Sequence, residues 1–475
     1  MQASSVINNE IVDTGKEITC VNPSNTSEIV GKVKLASKET VDEAEKVAKE
    51  AQKVWSQTSG AEKTKLLYQA ADKLEKKAEE IAALATKEMG KPIKEMKGEV
   101  QRAVQLFRYY AAEGVRPDGE TIPASASGIH QYAKRVPLGV IGLITPWNFP
   151  VAIPIWKMAP ALLCGNAVIW KPAENSYLTA AKVVEVLNEV GFPSGLINLV
   201  IGSGREVGNY LVEEADINAV SFTGSTNVGR EIAKKAAARN IKYQTEMGGK
   251  NPAVVLEDAD LDLAASAVLS GAFRSAGQKC TATSRVIVES SAYESFKASL
   301  LQAAKSVSVT SADDENCYLG PVVSEAQFHS VSEYINQAAN DGDIVYQGTL
   351  PSEQGYYVKP TIVENLPEHH AAWDEEVFGP LIVLKKVNNI DEAIACANDT
   401  EYGLSASIFT QNLTKSFQFM EESHAGMVRV NLETAGVEYQ APFGGMKESS
   451  SHSREQGQAA LSFYSQTKTY AMKFK

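Results

Sequence analysis

Three short stretches carry residues whose types suit covalent chemistry on a small molecule. The stretch SAGQKCTAT sets Cys280 among small and polar residues just past Gly277. A cysteine kept for packing has apolar neighbours, because a free thiol behaves like a small hydrophobe. Here the backbone can turn sharply and the sulfur can stay reachable, which suits a nucleophile; an ordinary loop fits these nine residues as well. QTEMGGKNP places Glu246 between an apolar strand and a Gly-Gly turn. Partial burial there would raise its pKa toward neutrality and make it a general base, whereas an exposed carboxylate would do nothing. TPWNFP fixes Asn148 between two aromatic residues and two prolines. A rigid amide N–H suits an oxyanion hole, and Asn beside Pro is also common turn chemistry.

Two glycine turns compete for a phosphate. Gly202-Ser-Gly204-Arg-Glu-Val-Gly208 follows a strand and opens a helix, with one residue more than the dinucleotide fingerprint. Phe222-Thr-Gly224-Ser225-Thr-Asn-Val-Gly229 does the same. Its free N–H groups, the Ser225 and Thr226 hydroxyls and the helix dipole could all face an anion. Such turns also simply join strands to helices. In AVIWKPAE, Lys171 and Glu174 sit at a strand's carboxyl end, the edge that lines the ligand crevice of a doubly wound sheet. The same four residues read equally well as a helix start, with Pro172 in the first turn and an acid favouring the dipole.

Behind these stretches the chain must supply a frame. Residues 38–113 read as amphipathic helices punctuated by Gly60, Gly90 and Gly114. From 138 onward short apolar strands alternate with helices, the pattern of a parallel sheet covered on both faces. A second α/β region runs from about 250 to 430. By the family resemblance set out below, the expected fold class is α/β: a Rossmann-like doubly wound cofactor domain (1–114 with 138–248), a second α/β catalytic domain (249–449), and a small β oligomerisation element (115–137 with 450–475).

Composition removes several function classes. The 475 residues carry a formal net charge of −12, which argues against nucleic acid or an anionic membrane as the main partner. Five scattered cysteines with no C-x-x-C form neither a disulfide framework nor a zinc site, and point to a reducing cytoplasm. The six histidines lack metal-ligand spacing, so no metal is expected. The first ten residues have no signal-peptide pattern. Residues 136–170 contain one charge, Lys157, but their prolines break any membrane span.

Taken in order, PWNFP, WKPAE, FTGSTNVG, EMGGKNP, GQKC, EEVFGP and PFGGMKESS resemble the aldehyde dehydrogenase superfamily over nearly the whole chain. The resemblance implies oxidation of an aldehyde to a carboxylic acid with NAD or NADP. It makes Cys280 the nucleophile and gives the oxyanion to Asn148 and the Cys280 N–H. Glu246 becomes the base that activates water. Lys171, counted with the catalytic set, also joins Glu174 at the adenosine ribose. Phe222, Gly224 and Ser225, with Gly204 alongside, fall near the pyrophosphate. Thr145 and Trp147 lie beside the cofactor, Glu376 at the nicotinamide ribose and Phe378 at the ring.

For the substrate, TAGVEYQAPFGG and SREQG resemble the 2,5-dioxopentanoate (α-ketoglutarate semialdehyde) dehydrogenase group. Arg274, six residues before the nucleophile, is similar in position to a carboxylate-binding arginine of succinate semialdehyde dehydrogenases, and a guanidinium grips a carboxylate through two parallel bonds. The other reading of Arg274 is a structural ion pair. Trp156 stands where two-arginine relatives have their second arginine, and Gln278 and Phe443 are expected to complete the pocket. Lys279 could lower the Cys280 pKa unless its side chain diverges. Succinate semialdehyde, a broad range of aliphatic aldehydes, or a cofactor-independent cysteine hydrolase remain as alternatives. By the same resemblance the chain forms a homodimer or homotetramer.

Overall fold

The helical pattern over 38–113 resolves into four helices, Lys38–Gln57, Gly60–Lys76, Ala78–Met89 and Ile93–Glu113. Their boundaries follow the sequence signals. Ser59 caps the second helix by accepting the Glu62 N–H at 3.2 Å, and Gly90 ends the third in a left-handed conformation (φ 79°) that favours glycine. This computed structural model describes residues 1–351 and 354–474; residues 352 and 353 of the expected catalytic stretch and Lys475 of the expected tail lie outside the described residues.

The first sheet has seven strands, in the order Lys242–Glu246, Ala219–Thr223, Val140–Ile144, Ala167–Lys171, Ile197–Leu199, Ser5–Ile7 and Glu10–Val12. The first five are parallel. Val140–Ile144 and Ala167–Lys171 are buried at every position, which explains their unbroken apolar character: helices cover both faces. From Val140–Ile144 the chain builds outward to one side, then returns to place Ala219–Thr223 on the other. That reversal is a topological switch point, where the crevice of a doubly wound sheet opens. The two N-terminal strands extend the far edge antiparallel.

The second sheet also has seven strands, in the order Asp343–Gln347, Thr361–Glu364, Leu381–Val387, Thr283–Glu289, Asn251–Val255, Ser405–Phe409 and Met427–Val430. All of its pairings are parallel except that of Asp343–Gln347. Each large sheet has its own apolar core. A third, antiparallel sheet joins Gly119–Ile122, Ile129–Pro137 and Ser465–Lys473. Only the last part of the 450–475 tail therefore pairs with 115–137. Residues 450–464 instead run back over the first sheet, where the Ala459–Phe463 helix packs on Ala152–Leu163. No helix of the described residues is long and apolar enough to cross a membrane.

Candidate active site

Cys280 follows an unusual turn. After the Leu261–Phe273 helix, Ser275, Ala276 and Gly277 are all left-handed, at φ 54°, 52° and 71°. Such a conformation costs a non-glycine residue about 1–2 kcal/mol, so the turn has to be held. Glu95 accepts the Ser275 N–H at 3.0 Å and its hydroxyl at 2.6 Å. The Gln278 N–H and Nε2 both donate to the Ser275 carbonyl, at 3.0 and 3.2 Å, and a side chain at Gly277 would collide with the Gly379 carbonyl. Gln278 Oε1 accepts the Val323 N–H at 3.0 Å. Gln278, expected at the substrate, is thus a buried strut whose amide is already spent on backbone.

Past this turn Cys280 is partly exposed. Burial of the sulfur pushes its pKa well up, reinforced by the negative charges of Glu376 and Glu246 and opposed by the N–H groups of Cys280 and Thr281. Lys279 directs its ammonium to the Ser270 carbonyl at 3.3 Å, so it is engaged at the end of the preceding helix.

Asn148 lies in the loop leaving Val140–Ile144, beside the switch point. Its Nδ2 donates to the Gln278 carbonyl at 3.0 Å, two residues from Cys280. One amide hydrogen remains, and Oδ1 is buried with no partner among the described residues. Glu246 ends the outermost parallel strand of the first sheet. Its Oε2 accepts the Ser450 hydroxyl at 2.6 Å, while Oε1 is buried and has no partner among the described residues. Burial raises the Glu246 pKa well above the carboxylate range, and the nearby charge of Glu455 raises it further; Ser450, Lys157 and Arg454 oppose the shift.

Ser450, Lys157 and Glu455 were not candidates from sequence. Lys157 and Glu455 form a buried ion pair. Trp156 Nε1 donates to Glu455 Oε2 at 2.6 Å, and the Lys157 ammonium donates to Ser221 Oγ at 2.8 Å. One signal was visible: a single lysine in a long apolar stretch needs a buried partner. Phe443 exchanges backbone hydrogen bonds with Glu455 at 2.7 and 2.8 Å, and its ring lies 5.4 Å from that of Trp156. Arg274 is exposed, packs over the Tyr318 ring at 5.8 Å and makes no salt bridge among the described residues.

The open edge of the first sheet fits a dinucleotide. Ser225 caps the Thr226–Ala238 helix in position, but its side chain makes no capping bond, so the hydroxyl and the helix start stay available. Ser203, in the competing turn, spends its hydroxyl on the Glu206 N–H at 3.1 Å. Phe222 lies beneath the turn: a side chain at Gly224 would come within 2.5 Å of its ring. Lys171 is buried, and its ammonium makes no hydrogen bond or salt bridge among the described residues; burial lowers its pKa to about 8, against the pull of exposed Glu174. A side chain at Gly204 would sit 3.9 Å from that ammonium. The Thr145 oxygen accepts from Trp170 Nε1 at 2.8 Å. Trp147 and Phe378 meet edge to face, centroids 5.5 Å apart. Glu376 Oε1 accepts the Gly249 N–H at 3.0 Å, and burial raises its pKa to about 7.

One family model, described as the aldehyde dehydrogenase family, matches this chain over residues 11–470. The chain belongs to the aldehyde dehydrogenase family. It is 49% identical to an alpha-ketoglutaric semialdehyde dehydrogenase of Bacillus subtilis, covering 98% of this chain and 97% of that protein. It is 40% identical to a 2,5-dioxopentanoate dehydrogenase of Saccharolobus solfataricus, covering 97% of both. Among solved structures, a betaine aldehyde dehydrogenase from Staphylococcus aureus in complex with NAD+ superposes with a TM-score of 0.95 at 32% identity, over 99% of this chain and 94% of that one. This aldehyde dehydrogenase therefore shares its architecture with that enzyme over 99% of the chain.

Proposed function

We propose that this aldehyde dehydrogenase oxidises 2,5-dioxopentanoate (α-ketoglutarate semialdehyde) to 2-oxoglutarate, with NAD as the oxidant. The observation that carries the chemistry is the Asn148–Gln278 hydrogen bond, which ties an amide donor to the nucleophile's loop. The substrate follows the names of the two relatives above. Arg274, free of salt bridges among the described residues, supplies a cation for the distal carboxylate, and Trp156 with Phe443 gives the pocket an apolar side.

Cys280 attacks the aldehyde carbon as a thiolate, its proton passing to the free oxygen of Glu246. The Asn148 amide and the Cys280 N–H hold the resulting oxyanion of the thiohemiacetal, donors fixed before charge develops. An oxidised nicotinamide, when bound, would supply the acceptor for the hydride that the thiohemiacetal carbon gives up on becoming the Cys280 thioester. Glu246 passes its proton to solvent and, again a carboxylate, takes a proton from the water that attacks the thioester; the acid leaves and Cys280 is released as a thiolate. Lys171 and Glu174 would hold the adenosine ribose; Ser225 and the adjoining helix start, shaped by Gly224, Phe222 and Gly204, would hold the pyrophosphate. Trp147, Thr145 and Phe378 would flank the nicotinamide end, with Glu376 on its ribose. Glu174 repels a 2′-phosphate, so NAD is preferred and NADP is the weaker cofactor. The residues fall into a cofactor domain (1–114, 138–248) and a catalytic domain (249–449), with 115–137 and 465–473 pairing subunits into a dimer or tetramer. Five free cysteines suit a reducing cytoplasm.

The test is reduced-nicotinamide formation with 2,5-dioxopentanoate, succinate semialdehyde and butanal, in wild type and Arg274→Ala, with each cofactor. The acidic aldehydes should lead in kcat/KM, and the substitution should erase about 10- to 100-fold of that lead. Equal turnover of butanal, unchanged by the substitution, rejects the substrate assignment.

A further inference from the structure

One helix, Ile93–Glu113, reaches both halves of the site. Glu95 and Glu99 are four residues apart and so share a face. Glu95 holds the left-handed turn before Cys280 through Ser275. Glu99 is buried and accepts the N–H groups of Val151 and Ala152 with Oε1, at 2.8 and 3.0 Å. These belong to the start of the Ala152–Leu163 helix, where N–H groups lack intrahelical partners. The cap position is held by Val151, whose side chain cannot cap. Glu99 Oε2 pairs with Lys91 at 2.7 Å. The Lys91 ammonium also donates to the Asn148 carbonyl at 3.2 Å and lies 3.5 Å from the centre of the Phe149 ring. The loop carrying Asn148 is thus gripped at the Asn148 carbonyl and again at Val151 and Ala152 just beyond it. A buried ion pair adds little stability over a well-packed apolar pair, so its worth lies in where it puts the backbone.

We infer that Lys91, Glu95 and Glu99 are positioning residues, a bracket at the start of one helix and just before it that sets the Asn148 amide against the Cys280 loop. The bracket rests on the proposed roles of Asn148 and Cys280. None of its members touches the reacting atoms; each acts through Asn148 or Ser275.

The experiment is a double-mutant cycle between the charge-neutral pair Lys91→Met/Glu99→Gln and Asn148→Ala, reading kcat, aldehyde KM and NAD affinity by tryptophan fluorescence. The pair alone should lower kcat about 100-fold, the scale of a misplaced catalytic group, with KM and NAD affinity changed less than about twofold. On the Asn148→Ala background it should cost almost nothing further, because coupled residues are not additive. Multiplying losses, or an unchanged kcat, overturn the bracket. An Asn148→Ala enzyme with full kcat instead overturns the role of Asn148 on which the bracket rests. If the paired variant does not fold, Glu99→Asp, which keeps the charge but withdraws the carboxylate by one methylene, enters the same cycle with the same expectations.

Discussion

Replacing Glu455 by Gln should move the acidic limb of the pH–rate profile to lower pH. Burial raises the Glu246 pKa most, and the charge of Glu455 is the next cause. As base for thioester hydrolysis Glu246 must be ionised, so kcat rises as pH climbs through its pKa. Glu455→Gln removes a negative charge and leaves Lys157 without its carboxylate partner; both changes favour the Glu246 carboxylate and lower its pKa. A like charge at close range is worth about 1–3 pKa units, and here Lys157 already offsets part of it, so a fall of about 1 pH unit is expected. The assay is kcat against pH in both enzymes, with a stopped-flow burst of reduced nicotinamide to show that hydrolysis limits turnover. A limb that stays in place, or moves upward, refutes the electrostatic coupling. The same logic fixes stability. Because the Glu246 pKa is raised on folding, its contribution is complete below the ordinary carboxylate value and is lost as pH rises through the raised one. Glu455→Gln also strands a fully buried lysine, which costs about 3–5 kcal/mol; Lys157→Met added to it should restore most of the thermal stability and, by removing a cation that favours the Glu246 carboxylate, give back part of the limb's displacement.

Two further outcomes concern the cofactor edge. Lys171 has its pKa lowered to about 8, so its ammonium loses its proton as pH rises through that value: NAD affinity should fall between pH 7 and about 9.5, and Lys171→Met should bind weakly but without that dependence, both read by fluorescence titration. Glu174→Gln removes the charge facing a 2′-phosphate and should raise kcat/KM for NADP relative to NAD by about 10-fold, measured by initial rates with each cofactor.

The strands that frame the site were legible because burial on both faces leaves an unbroken apolar run, as in Val140–Ile144 and Ala167–Lys171. The N-terminal strands were not: Ser5–Ile7 and Glu10–Val12 are three residues each, too short for a period to register. Cys280, Glu246 and Asn148 could be picked out because each breaks the pattern around it, a polar group next to a turn or a strand end. The backbone bonds of Gln278 were not legible, since sequence proximity to Cys280 says nothing of where an amide points. The pairing of Lys157 with Glu455 spans 298 residues, and no local pattern names a partner at that distance.

Two carboxylates of the pocket weigh on its thiol. Cys280 is held up by burial and by the charges of Glu376 and Glu246, Glu246 by burial and Glu455, and Glu376 by burial to about 7. All three therefore keep their protons to higher pH than isolated groups would, and ionised carboxylates make the thiolate harder to form. What lowers the cost of a thiolate is positive charge brought close, and two buried lysines are engaged elsewhere: Lys279, next in sequence, is turned to Ser270, and Lys157 is committed to Glu455 and Ser221. An oxidised nicotinamide carries a cationic ring, and its reduced form does not. On the proposed mechanism, a bound oxidised nicotinamide would therefore bring the Cys280 sulfur a positive charge that Lys279 and Lys157 do not.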